Sequence, residues 1–183
     1  MRIIAGTARG ARLGPVPAGT RPVSDRAREG LFSSLGTSVR GARVLDLFAG
    51  SGALGLEALS RGAVHVTFVE RDRAASAAIR DNLARTGLGP GSVVTSDAGR
   101  FLGRDPDAAV GFDLAFCDPP YDLEGQPLDR VLVRLGEQGV LADGWTVALT
   151  RATRSSTPVI PIHWHLARRL RYGDSLVFLY REV

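Results

Sequence analysis

Two short segments of the chain combine residue types and spacings that could do chemistry. The first runs from Asp46 to Gly52 and places a carboxylate four residues before Gly50. An apolar run precedes the glycines and a segment with helical spacing follows them, so the turn joins the end of a strand to the start of a helix. Because a helix N-terminus presents unpaired backbone N–H groups, this turn predicts a cradle for a nucleotide-like ligand.

The glycine spacing fits two kinds of nucleotide-like ligand. Gly50, Gly52 and Gly55 match the G-x-G-x-x-G pattern of dinucleotide sites. Glu70 follows at about the distance of the acid that binds a ribose in those sites. A carboxylate at Asp46, however, would repel a pyrophosphate and attract a cation. S-adenosylmethionine (SAM) carries a sulfonium and an ammonium group and no phosphate, so the sequence favours SAM.

The second segment, Asp118-Pro119-Pro120-Tyr121, directly follows an apolar run. Its prolines remove backbone donors and fix φ, which leaves the carboxylate of Asp118 and the carbonyls of Asp118 and Pro119 as outward-facing acceptors. Two acceptors can hold both N–H bonds of an exocyclic base amine and direct its lone pair at a sulfonium methyl group, roughly 3–3.5 Å away. Tyr121 is expected to stack on the extruded base, so these four residues form the predicted catalytic group.

The elements that must position these segments alternate between helix and strand patterns. Helical spacing occurs at residues 25–35, 53–59, 74–83, 100–102 and 128–135. Strand patterns occur at residues 44–48, 64–69, 92–95, 112–117 and 145–150. Such alternation predicts an α/β fold with a mostly parallel sheet and helices on both faces. Residues 166–171 and 175–180 flank a Tyr172-Gly173-Asp174 turn and are expected to form an antiparallel C-terminal hairpin.

Ligands bind to such sheets beyond the carboxyl ends of the strands. In this chain, four successive predicted strands each have a polar residue at that end. Glu70 is expected to accept the ribose hydroxyls, and either Phe101 or Arg71 to flank the adenine ring. Asp97 and the Ala98 N–H would read the adenine edge, although Asp97 is also typical of a helix N-cap. The predicted cofactor-binding residues are Asp46, Phe48, Ala49, Gly50, Ser51, Gly52, Glu70, Arg71, Asp97, Ala98 and Asp118.

Charge is distributed unevenly along the chain. All 23 basic residues are arginine, and the 183-residue chain has a formal net charge of +4. Residues 1–43 contain eight arginines and two acids, whereas the remainder contains fifteen arginines and seventeen acids. A basic N-terminal segment next to a mildly acidic remainder indicates that this segment binds a polyanion.

Residues 1–23 are predicted to form a basic arm ahead of a catalytic domain at residues 24–183. Residues 2–5 and 10–13 can pair as short strands of a β-hairpin. No acid occurs before Asp25, so the arm is expected to contact phosphates. The predicted RNA-contact residues are Arg2, Arg9, Arg12 and Arg21 on the arm, and Arg26 and Arg28 on the exposed side of the helix that follows.

Composition excludes several other classes of protein. With 44% hydrophobic residues the chain is expected to be globular, and no apolar run is long enough to span a bilayer. Residues 1–9 lack the apolar region of a signal peptide, which favours a cytoplasmic protein. The lone Cys117 excludes an internal disulfide, and the three histidines do not indicate a metal site. No apolar stripe calls for a partner subunit, so a monomer is expected.

Several stretches of the chain resemble known enzymes. Residues 46–52 resemble the SAM-binding motif of class I methyltransferases, and Asp118-Pro119-Pro120-Tyr121 resembles their amino-methylating signature. A narrower resemblance, to the bacterial small-subunit ribosomal RNA guanine-N2 methyltransferase family, extends over nearly the whole chain. It is carried by residues 2–6, 9–10, 21–22, 25–26, 28–29, 32, 52–62 and 172–175.

This resemblance implies a Rossmann-like class I methyltransferase fold with a seven-stranded sheet, and SAM as the methyl donor. The implied substrate is the 2-amino group of one guanine in 16S rRNA. The implied partner is a small ribosomal subunit or a late assembly intermediate, with the N-terminal arm helping to hold the RNA.

Three other functions remain open from the residues alone. An adenine-N6 methyltransferase acting on DNA or RNA would share residues 118–121, although this chain lacks a large inserted target-recognition segment. A nicotinamide-dependent oxidoreductase would use the glycine pattern. A non-catalytic RNA-binding assembly factor would retain the fold without methyl transfer.

Overall fold

The computed structural model of the protein describes residues 1–14, 23–103, 111–120, 122–137 and 139–182. The helices are α1 (Asp25–Leu35), α2 (Ala53–Ser60), α3 (Arg73–Thr86), α4 (Ala98–Leu102) and α5 (Gln126–Leu135), with a 3-10 turn at Gly36–Val39. The strands are β1 (Arg43–Asp46), β2 (His65–Glu70), β3 (Gly91–Thr95), β4 (Phe112–Cys117), β5 (Leu141–Ala152), β6 (Trp164–Tyr172) and β7 (Ser175–Glu182). Every helix and strand predicted within residues 24–183 is present, with bounds that differ by no more than four residues, whereas the predicted short strands at residues 2–5 and 10–13 are reduced to one isolated bridge.

Within the described residues the strands form one seven-stranded sheet with the order β3-β2-β1-β4-β5-β7-β6. Strands β1 to β5 are parallel, and β7 is antiparallel to both β5 and β6. The predicted parallel sheet with an antiparallel C-terminal hairpin is therefore confirmed. The strand order reverses at β1, which has β2 on one side and β4 on the other, so the carboxyl ends of β1 and β4 flank the crevice where such sheets bind ligands.

Apolar clusters cover both faces of the sheet. One cluster includes Leu31 of α1 and Ile79 of α3, and the other includes Leu132 of α5. In β1, Val44 belongs to the first cluster and Leu45 to the second, and both are 0% exposed. Burial on both faces explains the nearly continuous apolar run of this strand. No helix among the described residues is long and apolar enough to cross a membrane.

The side chain of Arg28 lies inside the protein, at 0% exposure. Its Nη2 donates to Asp25 Oδ1 at 2.6 Å and to the Arg2 carbonyl at 2.8 Å. The prediction that Arg28 lies on the exposed side of α1 is therefore wrong. Position 28 precedes Leu31 and Phe32 by three and four residues, so it shares their inward face, and the nearby carboxylate compensates its charge.

The N-terminal segment, residues 1–14, forms a compact hairpin that is docked on the domain. Arg2 and Arg12 form an antiparallel bridge, as the predicted strand pairing requires. The side chains of Ile3 and Leu13 are buried in the same cluster as α1 and α2. This part of the predicted arm is thus a fixed piece of the fold, whereas residues 15–22 lie outside the described residues.

A buried carboxylate on α2 holds the hairpin through its backbone. Glu57, at 0% exposure, accepts the Ile4 N–H at 2.8 Å through Oε2 and the Ala5 N–H at 3.0 Å through Oε1. Arg61 Nε donates to the same Oε1 at 2.7 Å. Ser60 Oγ adds a donated hydrogen bond to the Ala5 carbonyl at 2.6 Å. Three donors on one carboxylate offset the cost of burying its charge.

Glu57→Gln should lower the free energy of unfolding by about 1–3 kcal/mol, because an amide N–H would face one of these donors and Arg61 would lose its counter-charge. Urea denaturation measures the change. Glu29→Gln, at an exposed position of α1, is the matched control and should change stability by less than about 0.5 kcal/mol. Equal stability of the two variants would contradict the role assigned to Glu57.

Candidate active site

The carboxyl ends of the parallel strands open into a cavity of about 1160 Å³. Small-ligand sites typically measure roughly 300–1,000 Å³, so this cavity has room for a nucleoside-sized cofactor and part of a second molecule. All the predicted cofactor-binding residues except Gly52 line it, as do Pro119 and Pro120 of the predicted catalytic group. Tyr121, the remaining member of that group, lies outside the described residues.

The turn between β1 and α2 requires glycine at two positions. Gly50 and Gly52 have φ angles of 53° and 76°, in the left-handed region that favours glycine. The Gly52 N–H donates to the Ala49 carbonyl at 2.6 Å, and a Cβ at Gly52 would lie 3.1 Å from Ile79. Gly52 therefore allows the backbone of the turn to adopt this conformation, although it does not itself line the cavity.

The third glycine of the pattern, Gly55, lets α2 pack directly on β2. A Cβ at this position would overlap the ring of Phe68. The Gly55 N–H also donates to Asp46 Oδ2 at 3.0 Å. Close packing and this hydrogen bond account for the glycine pattern without a pyrophosphate, so the match to dinucleotide sites does not require a dinucleotide.

Asp46 is a carboxylate at the end of β1 that is only 1% exposed. The pKa of Asp46 is raised to about 7, mainly by burial. The hydrogen bond from the Gly55 N–H lowers this pKa, and the neighbouring Asp118 and Glu70 carboxylates add to the rise. Low dielectric and like charge both oppose ionisation here. A cationic ligand in the cavity would offset that cost.

The charge of the whole cavity agrees with this expectation. Arg71 is the single basic residue among the described residues that line it. Seven carboxylates line the same cavity: Asp46, Glu70, Asp72, Asp97, Asp118, Asp122 and Asp174. Such a cavity attracts cations and repels phosphates. Among the described residues, no group of three or more His, Cys, Asp and Glu side chains is arranged to hold a metal ion.

Glu70 organises the glycine turn from the end of β2. Its Oε2 accepts the Gly50 N–H at 2.8 Å, and its Oε1 accepts the Asp72 N–H at 2.8 Å. Each carboxylate oxygen has further acceptor capacity, so these bonds leave Glu70 able to accept ligand hydroxyls as well. Its carboxylate therefore fixes the cradle and remains available at the cavity wall.

Asp97 caps the N-terminus of α4, which is one of the two roles that the sequence allowed for this residue. Its Oδ1 accepts the Arg100 N–H at 3.2 Å, at the start of α4. The residue also lines the cavity, next to Ala98. Capping uses one oxygen of the carboxylate, and the second oxygen can accept a hydrogen bond from a ligand.

Asp118 follows β4 and is held by the neighbouring strand β5. The Thr150 side chain forms a hydrogen bond with its carboxylate. Burial raises the pKa of Asp118 to about 7, whereas the Thr150 hydrogen bond and the charge of Arg151 lower it. The Pro120 carbonyl accepts the Leu123 N–H at 3.0 Å and turns the chain back toward the domain. The predicted acceptors, at Asp118 and Pro119, do not include this carbonyl.

The structure adds residues that sequence reasoning missed. Thr150 and Arg151 lie at the end of β5 beside Asp118, and the rule that polar residues follow parallel strands could have found them. Residues 23–24 and residues 172–175 also line the cavity. Residues 23–24 precede α1, and residues 172–175 join two antiparallel strands. The rule for the ends of parallel strands therefore identifies neither segment.

The predicted RNA-contact residues differ in their exposure. Arg21 lies outside the described residues, and Arg28 is buried as described above. The exposed ones are Arg2, Arg9, Arg12 and Arg26.

Comparisons of this chain with known proteins identify one protein family. A family model described as Conserved hypothetical protein 95 matches residues 1–181. The Escherichia coli K12 protein named ribosomal RNA small subunit methyltransferase D is 39% identical over 184 residues, covering 100% of this chain and 90% of that protein. The chain belongs to this methyltransferase family. The resemblance that the sequence showed to bacterial small-subunit rRNA methyltransferases is therefore confirmed.

Solved structures of similar proteins agree with the fold. The structure of yhhF from Escherichia coli is 40% identical, with a TM-score of 0.88, and the match covers 100% of this chain and 97% of that one. SMU.776, whose structure is complexed with SAH, is 17% identical with a TM-score of 0.65, and the match covers 85% of this chain and 48% of that one. The class I methyltransferase fold expected for this family member is confirmed.

Asp46→Asn should stabilise the cofactor-free protein more at pH 8 than at pH 5. The folded pKa of about 7 lies above the ordinary value of 3.8, so the unfolded chain loses this proton first and wild-type stability falls as pH rises toward 7. Asparagine does not titrate, so its advantage should grow by about 1–3 kcal/mol between the two pH values.

Urea denaturation at both pH values measures this difference. Asp81→Asn, at an exposed position of α3, is the control and should show a pH-dependent difference below about 0.5 kcal/mol. A gain for Asp46→Asn that is equal at pH 5 and pH 8 would exclude a strongly raised pKa at this site.

Proposed function

We propose that the protein is a SAM-dependent rRNA (guanine-N2)-methyltransferase, which methylates the exocyclic 2-amino group of one guanine in 16S rRNA. The observation that carries the proposal is that Asp118 and residues 46–51 of the cradle line one cavity. The name of the Escherichia coli relative, which refers to small-subunit rRNA, supports the substrate. The proposed partner is a small ribosomal subunit or a late assembly intermediate, and the enzyme acts as a cytoplasmic monomer.

The charge of the cavity supports SAM as the cofactor. When bound, SAM supplies an electrophilic methyl group on a sulfonium. Asp46 and its neighbouring carboxylates would face the two cationic groups of this molecule. Glu70 would accept the ribose hydroxyls, and Asp97 with the Ala98 N–H would bind the adenine edge. A nicotinamide dinucleotide is disfavoured, because its pyrophosphate would enter a cavity lined by seven carboxylates.

The proposed chemistry uses this chain mainly to position the base amine. The Asp118 carboxylate accepts one N–H of the amine, and the Pro119 carbonyl accepts the other, so the nitrogen lone pair points toward the cofactor. SAM held in the cradle would supply the methyl carbon to this nitrogen and would leave as its uncharged thioether. With a pKa of about 7, Asp118 can take up the proton that the methylated amine then releases.

Purified protein should transfer label from radiolabelled SAM to small subunits that lack the modification, and nucleoside analysis should identify N2-methylguanine. Label on adenine, or on DNA alone, would contradict the proposed substrate. An absence of transfer together with normal rRNA binding would favour an assembly factor, and binding of NAD without SAM would favour an oxidoreductase.

Asp118→Asn should lower kcat by about 100-fold or more, because an amide N–H would face the donor groups of the base amine. The Kd for SAM should change by less than about ten-fold, since asparagine preserves the size of the side chain. Asp122→Asn removes a carboxylate from the same cavity and is the matched control, with an expected kcat within about three-fold of wild type. Equal kcat values for the two variants would contradict the role of Asp118.

A further inference from the structure

Strand β6 forms one edge of the sheet and carries exposed arginines that the sequence-based prediction did not assign to RNA contact. Arg168, Arg169 and Arg171 lie on this strand, Arg154 lies on the loop before it, and all four are exposed. These four residues are called the β6 arginine strip. Residues 144–173 contain no acid, so the strip is a local concentration of positive charge that the mildly acidic average of residues 44–183 conceals.

The strip has no counter-charge within the part of the chain that the structure describes. The arginines that form ion pairs there are Arg2, Arg28, Arg61 and Arg151. Arg169 Cζ lies 5.7 Å from the centroid of the Phe178 ring, and Arg171 Nε donates to the Gly173 carbonyl at 3.4 Å. A guanidinium has five N–H donors, so these contacts leave donors for a further acceptor.

The strip leads directly to the cavity. The turn that joins β6 to β7, residues 172–175, lines the cavity wall. The Thr153 N–H donates to the Asp174 carbonyl at 2.8 Å, which brings the loop that carries Arg154 to the same turn. At about 3.3 Å per residue, the strand places Arg168 to Arg171 within roughly 13 Å of the turn.

Helix α1 lies beside the end of β6, on the side of the N-terminal hairpin. The Tyr172 hydroxyl is packed so closely on Gly30 that a Cβ there would overlap it. Ser24, which caps α1, lines the cavity, and Arg26 is exposed on the first turn of the helix. Arg168 lies on the same face of the sheet as α1, whereas Arg169 and Arg171 lie on the other face of this edge strand. The end of β6 and the first turn of α1 therefore border the same opening, with strip arginines on both faces of the edge.

We propose that the β6 arginine strip binds phosphates of the RNA strand on one side of the target base, an inference that rests on the proposed function. The cavity is lined by seven carboxylates and repels an RNA backbone, so phosphates must be held outside it while a single base enters. Arginine suits this task because its planar guanidinium binds phosphate oxygens in pairs. Contacts of this kind set the position of the strand without reading its sequence.

An edge strand also has a structural reason to carry charge, since charged side chains prevent pairing with the edges of other molecules. That role predicts that removing the strip increases aggregation. It predicts no change in the salt dependence of RNA binding by the monomeric fraction. The two explanations therefore differ in a measurable quantity.

The test compares wild type with the triple variant Arg168→Gln, Arg169→Gln, Arg171→Gln. The matched control is the triple variant Arg73→Gln, Arg80→Gln, Arg85→Gln, which removes three exposed arginines from α3, beside the opposite edge strand β3. Gel filtration supplies monomer, and thermal unfolding shows that each variant is folded. Binding to unmodified small subunits is measured between 50 and 200 mM salt, and SAM binding and methyl transfer are measured in parallel.

For the β6 variant, the magnitude of the negative slope of log K against log salt should be smaller than for wild type by about 2–3. Each lost phosphate contact contributes roughly 0.7–0.9 to this magnitude. Its KM for subunits should rise about ten-fold or more, while kcat and the Kd for SAM stay within about two-fold. The α3 variant should keep the wild-type slope and KM. Equal slopes and KM values for the two triple variants would overturn the inference.

The binding measurement tests whether the strip contacts RNA, and this test does not depend on catalysis. If wild-type protein binds subunits but labels no guanine, the proposed function fails. The slope comparison still shows whether the strip contacts RNA. If wild type labels guanine and the β6 variant matches it in slope and KM, the proposed function stands and the inference about the strip fails.

Discussion

A buried hydrogen bond from the Gly55 N–H to the Asp46 carboxylate joins the end of the central strand to α2. It orients the helix whose N-terminus forms the cradle, and Gly55 allows that helix to lie directly against Phe68 of β2. Glu70 holds the other side of the same turn through the Gly50 N–H. The cradle is therefore held by contacts within the protein, which reduces the free energy that ligand binding must spend on ordering it.

The same carboxylates that order the cradle make the cavity strongly acidic. Burial raises the pKa of Asp46 and of Asp118 to about 7, and repulsion by Asp118 and Glu70 contributes at Asp46, which is a cost to the folded state. Sites that tolerate such a cost are commonly binding sites, because a ligand of opposite charge removes it. An acidic cavity also separates two tasks, since a neutral base can enter it while the phosphates of the same RNA must be bound by the surrounding arginines.

The position of the basic surface depends on how the N-terminal hairpin is held. Glu57 accepts two of its backbone N–H groups, and Ile3 and Leu13 are buried against the domain. The exposed arginines of residues 1–14 consequently have a fixed position relative to the cavity. Arg28, buried below them, donates to the Arg2 carbonyl and belongs to the support of this surface.

The sequence by itself determined the elements, the parallel sheet and the acids at the strand ends. Asp46 and Glu70 end their strands and Asp118 directly follows its strand, and parallel strands bring their carboxyl ends to one edge whatever the details of packing. Only the tertiary structure decided that Arg28 is buried, because burial depends on what packs against a helix face. It also decided that residues 172–175 line the cavity and that the arginines of β6 lie beside it. Those positions depend on β7 pairing with β5 in the antiparallel direction, a long-range contact that no local pattern encodes.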